Sequence, residues 1–385
     1  MTQKQESYQG FEQGPIRPPS EAASLLIRIT RNCPWNRCTF CPVYKGSRFS
    51  LRPANHVKAD IDMVHKYVAL LKESADSDGV VTRQRLSELS ARVDRSEYPA
   101  LSAALNWMAG GMASVFLQDA NSLIIRPDDL IDILSHLRKR FPWIKRVTSY
   151  ARSHTLCRIS DDKLVQIRKA GLDRIHIGLE SGSDAVLKLV KKGVTKAGHI
   201  QAGQKAKAAG FELSEYVMPG LGGVDLSREH ALETADALNR INPDFIRLRT
   251  LAIPPGLELH DDYTDGRFRK CTDVKVAEEL LLFIESLEGV TSMVKSDHIL
   301  NLFAEVEGRL PDKKEAMLKP IRAFLAMAPA DQVVYQIGRR LSVFNTMEDM
   351  NDSGRAARVR ELCAKMKITP DNVESVIEEA MNRFI

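Results

Sequence analysis

Three cysteines fall within nine residues, Cys33-Pro34-Trp35-Asn36-Arg37-Cys38-Thr39-Phe40-Cys41, at a Cys-x4-Cys-x2-Cys spacing. Three thiolates on one short loop can hold three corners of a four-iron cluster. No fourth cysteine follows nearby, which leaves one iron for a ligand that is not protein. An open coordination position marks a catalytic metal site rather than a structural one. The competing reading is a zinc knuckle with His154 or Cys157 as fourth ligand. Structural zinc sites more often pair Cys and His at regular spacing. A disulfide is disfavoured, because no signal peptide is evident and thiols stay reduced in the cytosol.

The loop must be carried by something rigid. Ser24-Leu-Leu-Ile-Arg-Ile-Thr30 just before it reads as a buried strand, so the cysteines sit at a strand's carboxyl end. After the loop, Tyr44 to Arg52 is basic and aromatic, and either lines the site's mouth or leads into a helix. Helical spacing from about Val57 to Lys72, then near 82–93 and 96–109, makes an insertion over about 57–110. Asp78-Gly79 is a turn signal within it. From there strands and helices alternate. Strands are expected at 114–118, 146–151, 174–180, 211–218 and 245–251, with one more near 291–298. Such alternation implies a parallel sheet with right-handed crossovers. The expected fold is α/β, a partial (β/α)6 TIM-like barrel with a helical insertion after strand 1 and a mainly helical C-terminal extension. Residues 1–23, with Gly10, Gly14, Pro15, Pro18 and Pro19, read as a flexible or draped arm. The core spans 24–255 and the extension 256–385. This architecture places ligands at the carboxyl ends of the strands.

A three-cysteine loop after the first strand of a βα repeat, with an aromatic before the last cysteine, resembles the radical S-adenosylmethionine (SAM) enzymes. Their commonest spacing is Cys-x3-Cys-x2-Cys, so the first gap here holds one extra residue. The resemblance implies a [4Fe-4S] cluster held by Cys33, Cys38 and Cys41, with SAM chelating the unique iron through its amino and carboxylate groups. Phe40 matches the position that contacts the adenine. The segment from Arg174 through Glu180 to Asp184, with Lys191-Lys-Gly-Val-Thr195, is similar to the branch of oxygen-independent coproporphyrinogen oxidases, methylthiotransferases and the elongator catalytic subunit. In that branch the residue matching Glu180 contacts SAM, and a carboxylate suits ribose hydroxyls. The competing role is a helix cap.

Other cofactor contacts are expected at strand ends. Asp119, in Leu117-Gln-Asp-Ala-Asn121, stands where the family binds the methionine ammonium; its alternative is to shape a turn with Asn121. Ser149 suits the ribose and Arg152 the SAM carboxylate. Glu215 lies in the fifth strand before the Gly-rich turn Met218-Pro-Gly-Leu-Gly-Gly223, which resembles the segment passing the adenine. Arg247 and Arg249 share a strand face, which is costly unless an internal carboxylate or an anionic substrate meets them. Asp297-His298 is placed on the substrate side. His176 reads as a core histidine.

The resemblance implies an oxygen-sensitive enzyme that reductively cleaves SAM to a 5'-deoxyadenosyl radical, which takes hydrogen from substrate. An electron donor such as flavodoxin or ferredoxin is the implied partner. A small organic or tetrapyrrole-like acid is the substrate class that Arg247, Arg249 and the oxidase likeness suggest. The alternatives are an RNA-modifying enzyme, a non-catalytic cluster or cofactor carrier of the same fold, and a zinc-binding interaction protein. The 385 residues are 44% hydrophobic and carry a net charge of only +5, with cations dispersed among acids, which speaks neither for nor against nucleic acid. No apolar run reaches ~18 residues, so a membrane span is not expected and the location is expected to be cytoplasmic. Cys157, Cys271 and Cys363 are isolated from one another, which argues against a second cluster.

Overall fold

The computed structural model describes residues 7–76 and 80–381. The expected turn at Asp78-Gly79 lies outside them. Eight strands follow in chain order across one mostly parallel sheet. They are β1 (Leu25–Arg28), β2 (Ser114–Gln118), β3 (Arg146–Ala151), β4 (Arg174–Glu180), β5 (Glu212–Val217), β6 (Phe245–Leu248), β7 (Met293–Lys295) and β8 (Gly308–Arg309). The strand expected near 291–298 exists as the short β7, parallel to β6, and β8 closes the edge antiparallel to β7.

The chain divides into two compact units. The first takes residues up to Asn36, Val43–His176 and Lys205–Glu212. Here β1 pairs with β2 from Leu25↔Val115 to Arg28↔Gln118, and β2 with β3 from Ser114↔Arg146 to Leu117↔Ser149. Both are apolar runs buried on two faces, as a parallel sheet under helices requires. The insertion forms the helices Ala54–Ser74, Arg83–Ala91 and Tyr98–Ala109. Val57, Ile61, Val64, Val68 and Leu71 recur at helical spacing on the first of these and are buried; the second buries no residue. A short antiparallel ladder, Thr30↔Leu51 and Arg31↔Ser50, which the sequence did not suggest, closes the cysteine loop at its base.

The segment expected as a flexible arm is draped and tied. Glu12 meets Arg28 at 2.7 Å, Arg31 at 2.9 Å and Arg52 at 3.4 Å. Burial would raise the Glu12 carboxyl, but the three guanidiniums outweigh it and hold it below the usual range. The Gln118 side chain accepts from the Gly14 amide at 2.8 Å and donates to the Gly14 and Ile16 carbonyls. Tyr8 donates to Asp60, which also receives Arg52 at 2.6 Å. Buried acids and amides at the ends of β1 and β2 need partners, and the arm supplies them.

The second unit takes Arg37–Pro42, Ile177–Gln204 and residues from Leu213 onward. Its β5 and β6 pair in parallel from Ser214↔Phe245 to Val217↔Leu248. Helix Gly223–Ile241 buries Ser227, His230, Ala231, Thr234 and Leu238, and lies against helix Asp273–Glu285. The C-terminal part is helical as expected: Lys314–Leu325, Pro329–Arg340, Ser353–Met366 and Val373–Met381. It has its own aromatic core, where Tyr335 stacks on Phe344 at 6.3 Å and Phe303 meets Phe324 at 5.5 Å. Among the described residues no helix is long and apolar enough to cross a membrane.

Candidate active site

In the first unit the chemistry gathers at the ends of β1, β2 and β3. Cys33 is half-buried, and the Asn36 amide points at its sulfur at 3.4 Å. Asn32 and Asn36 hold left-handed backbone at φ 68° and 47°. Asparagine tolerates that region better than most residues. The Asn36 side chain donates to the Tyr44 carbonyl at 2.6 Å.

Asp119 stands beside this turn, wholly buried, and its carboxylate is spent on the protein. Oδ2 accepts from Arg28 Nε at 2.8 Å and from the Asn32 amide at 2.9 Å; Oδ1 accepts from the Tyr44 hydroxyl at 3.1 Å. A Cβ on Gly14 would lie 2.2 Å from Oδ1. The residue expected at the SAM ammonium is therefore tied to the residue that precedes Cys33. Tyr44 and Arg52 do not line a mouth. Both are buried, and burial, then Asp119, pushes the Tyr44 phenol far up.

Ser149 is buried and donates to the Tyr150 carbonyl at 3.0 Å, so its hydroxyl is engaged locally. The Arg152 guanidinium lies 5.0 Å from the ring centre of Trp35, which brings it onto the cysteine loop. Asn121 accepts from the Arg152 amide at 3.1 Å and donates to Thr155, the turn-shaping role weighed for it. His176 is a core histidine, with Nε2 3.7 Å from Glu21 and its ring 5.5 Å from Tyr150.

In the second unit Phe40 is buried in an apolar cluster with Val186, Val190, Leu221, Leu251 and Phe268, and half-buried Cys38 and Cys41 pack against it. The Phe40 ring is thus part of a wall. The strip is fastened on both sides of Thr39, whose amide donates to Val190 and whose carbonyl accepts from Leu259. Glu180 has φ 62° and meets Lys192 at 3.1 Å. A Cβ on Gly178 would come within 2.3 Å of Glu180 Oε1 and 3.0 Å of Lys192 Nζ. Glycine at 178 is what lets the pair fold over the strand.

Glu215 is fully buried, and neither carboxylate oxygen has a hydrogen-bond partner among the described residues. Burial pushes it well above the usual carboxylate range, with Glu180 adding to the rise and Lys192 opposing it. Arg247 and Arg249 both reach Asp297, Arg249 at 2.7 Å, so an internal carboxylate meets them as electrostatics demanded. His298, lowered to about 4 by burial and then by Arg249, accepts from the Thr250 amide at 3.4 Å.

Three polar residues of the sites escaped the sequence reading: Glu12, His230 and Glu279. His230 carried a legible signal, because it falls on the stripe of Ser227, Ala231, Thr234 and Leu238 that the helix buries. A titratable group there requires a partner.

Residues 105–235 match the Radical SAM superfamily. Over those residues the chain is similar to radical SAM domains, and the cofactors of a radical SAM enzyme are a [4Fe-4S] cluster and SAM. The chain is 22% identical over 289 residues to a tRNA uridine(34) acetyltransferase of Methanocaldococcus jannaschii, covering 71% of this chain and 50% of that protein. It is 24% identical over 286 residues to a CDK5RAP1-like protein of Oryza sativa subsp. japonica, covering 71% and 43%. The chain thus spans about half the length of the curated relatives it matches. Among solved structures, Elp3 of Methanocaldococcus infernus superposes with a TM-score of 0.43 at 17% identity, over 60% of each chain. Coproporphyrinogen III oxidase from Escherichia coli does so at 0.39 and 12% identity, over 82% of this chain and 74% of that one.

The residue types of the cysteine loop suit such a cluster. The donor set is three half-buried thiols within nine residues, one with an amide on its sulfur, two backed by apolar side chains. Among the described residues no three His, Cys, Asp or Glu side chains, the three cysteines included, stand together as a single metal ion requires.

Proposed function

We propose that Cys33, Cys38 and Cys41 are the ligands of the [4Fe-4S] cluster, and that the domain, over about 24–255, cleaves SAM reductively and uses it to take hydrogen from an RNA substrate. When bound, the cluster and SAM supply a 5'-deoxyadenosyl radical; the protein supplies placement and a dry site. The observation that carries the reading is the half-buried thiol loop, pinned through Asn32 by Asp119. In this reading Glu180, with Lys192 beside it, accepts from ribose hydroxyls, and Glu215 adds a buried carboxyl with its polar atoms unspent. Phe40 closes the apolar side. Arg152 offers its guanidinium to the methionine carboxylate, and Ser149 only the backbone around it. Electrons come from a small carrier such as flavodoxin or ferredoxin.

RNA is favoured over a small acid by two observations. Asp297 already meets Arg247 and Arg249, which removes the main support for an acidic substrate. The relatives named above include a tRNA uridine(34) acetyltransferase.

Anaerobically reconstituted protein should hold about four irons and release 5'-deoxyadenosine from SAM when dithionite is added. Serine at Cys33, Cys38 or Cys41 should abolish both. Binding to bulk tRNA should weaken steeply between low and physiological salt. Salt-independent binding, or deuterium exchange with deoxyadenosine confined to small molecules of a cell extract, would refute RNA as substrate while leaving the cleavage reading intact.

A further inference from the structure

We propose that His230 and Glu279 are a buried positioning pair that sets the backbone against which SAM is held. The inference rests on the reading of Glu180 and the Gly-rich turn as cofactor contacts. Neither residue belongs to a strand end or to any motif singled out in the sequence.

The pair stands on helices Gly223–Ile241 and Asp273–Glu285, each side chain only 2% exposed. His230 Nδ1 lies 2.8 Å from Glu279 Oε1. That same oxygen accepts from the Gly220 amide at 2.7 Å. The other ring nitrogen, Nε2, lies 3.2 Å from the Glu180 carbonyl, which also accepts from the Met218 amide at 3.1 Å. Both ring nitrogens therefore face acceptors.

A buried polar pair is an expensive way to hold helices together, since burying polar groups costs unless hydrogen bonds compensate. What the pair secures here is direction. One end of the pair grips the carbonyl of Glu180, whose φ of 62° is costly for a side chain other than glycine. The other grips the amide of Gly220, at φ 83°, in the turn from Met218 to Gly223. The same helix adds a second tie, with Thr234 Oγ1 accepting from the Gly182 amide at 2.9 Å. A Cβ on Gly182 would lie 2.3 Å from the Glu233 carbonyl, so the helix touches the chain just past Glu180. Cys271 nearby, pushed up to about 12 by burial and then by Glu279, stays a neutral thiol and adds no competing charge. His230 and Glu279 thus lock the two segments to each other without touching the cofactor.

The test uses the full chain with Glu279→Ala and the isosteric Glu279→Gln. Amide hydrogen exchange on the cluster-free protein reads the Gly220 amide directly. KM for SAM against kcat for deoxyadenosine, in cluster-loaded protein, reads the pocket. Glu279→Ala should speed exchange at 218–223 and raise KM about tenfold each, the scale of one lost hydrogen bond, with iron content unchanged. Glu279→Gln, which keeps an acceptor, should recover part of both and covers the case in which the alanine variant does not fold. Faster exchange with an unchanged KM would show a merely structural pair and overturn the inference. A wild type that neither binds nor cleaves SAM would instead defeat the parent reading, and the inference with it.

Discussion

Asp119 and Glu215 are both fully buried acids at or near strand ends, one in each compact unit, and the protein treats them oppositely. Asp119 receives three donors, from Arg28, Asn32 and Tyr44. Glu215 receives none among the described residues, and burial pushes it well above the usual carboxylate range. The first is a structural acceptor that holds the approach to Cys33. The second is held with its polar atoms unspent, the arrangement expected where a ligand completes the site. A buried carboxyl at a strand end is therefore not by itself a cofactor contact; its donors decide.

The largest effect should come from Asp119→Ala, which removes the acceptor from three buried donors. Loss of a buried charge partner costs about 3–5 kcal/mol, read as a denaturation midpoint of cluster-free protein. A loss under about 1 kcal/mol would put Asp119 in the same class as Glu215.

Glu215→Gln should move stability the other way, and more so at high pH. An acid whose folded pKa exceeds its unfolded value, here 4.5, binds its proton more tightly in the native state. Its penalty grows as pH rises above that unfolded value, by up to about 1.4 kcal/mol per pH unit. The variant's advantage in melting temperature should widen as pH rises above about 5. An advantage that narrows would mean Glu215 is ionised and partnered.

The smallest effect belongs to Glu12→Gln, because that carboxylate is about a quarter exposed. About 1 kcal/mol or less is expected, yet limited proteolysis within residues 7–23 should quicken as the tie to Arg28, Arg31 and Arg52 weakens. Unchanged cleavage would mean that the Gln118 contacts alone hold the arm.

The sequence made the parallel strands legible because each is a short apolar run between turn residues, as in Ser114–Gln118 and Phe245–Leu248. The cysteine loop was legible from spacing alone. Less so were contacts joining residues far apart in the chain. The role of Asp119 depends on Arg28 and Asn32, about ninety positions away, and that of Glu279 on Gly220 and His230, about fifty away. The arm read as flexible or draped, and its ties were not legible because glycine and proline signal only an irregular backbone, which buried partners can still pin. Of β7, only three residues keep ladder geometry, too few for a clear alternation.

The most direct measurement is the electron paramagnetic resonance spectrum of anaerobic, dithionite-reduced protein before and after SAM is added. The account predicts a [4Fe-4S] signal that shifts on adding SAM and is lost when Cys33, Cys38 and Cys41 are all replaced by serine. A colourless protein containing zinc in place of iron and sulfide, or a cluster signal that survives the triple replacement, would contradict it.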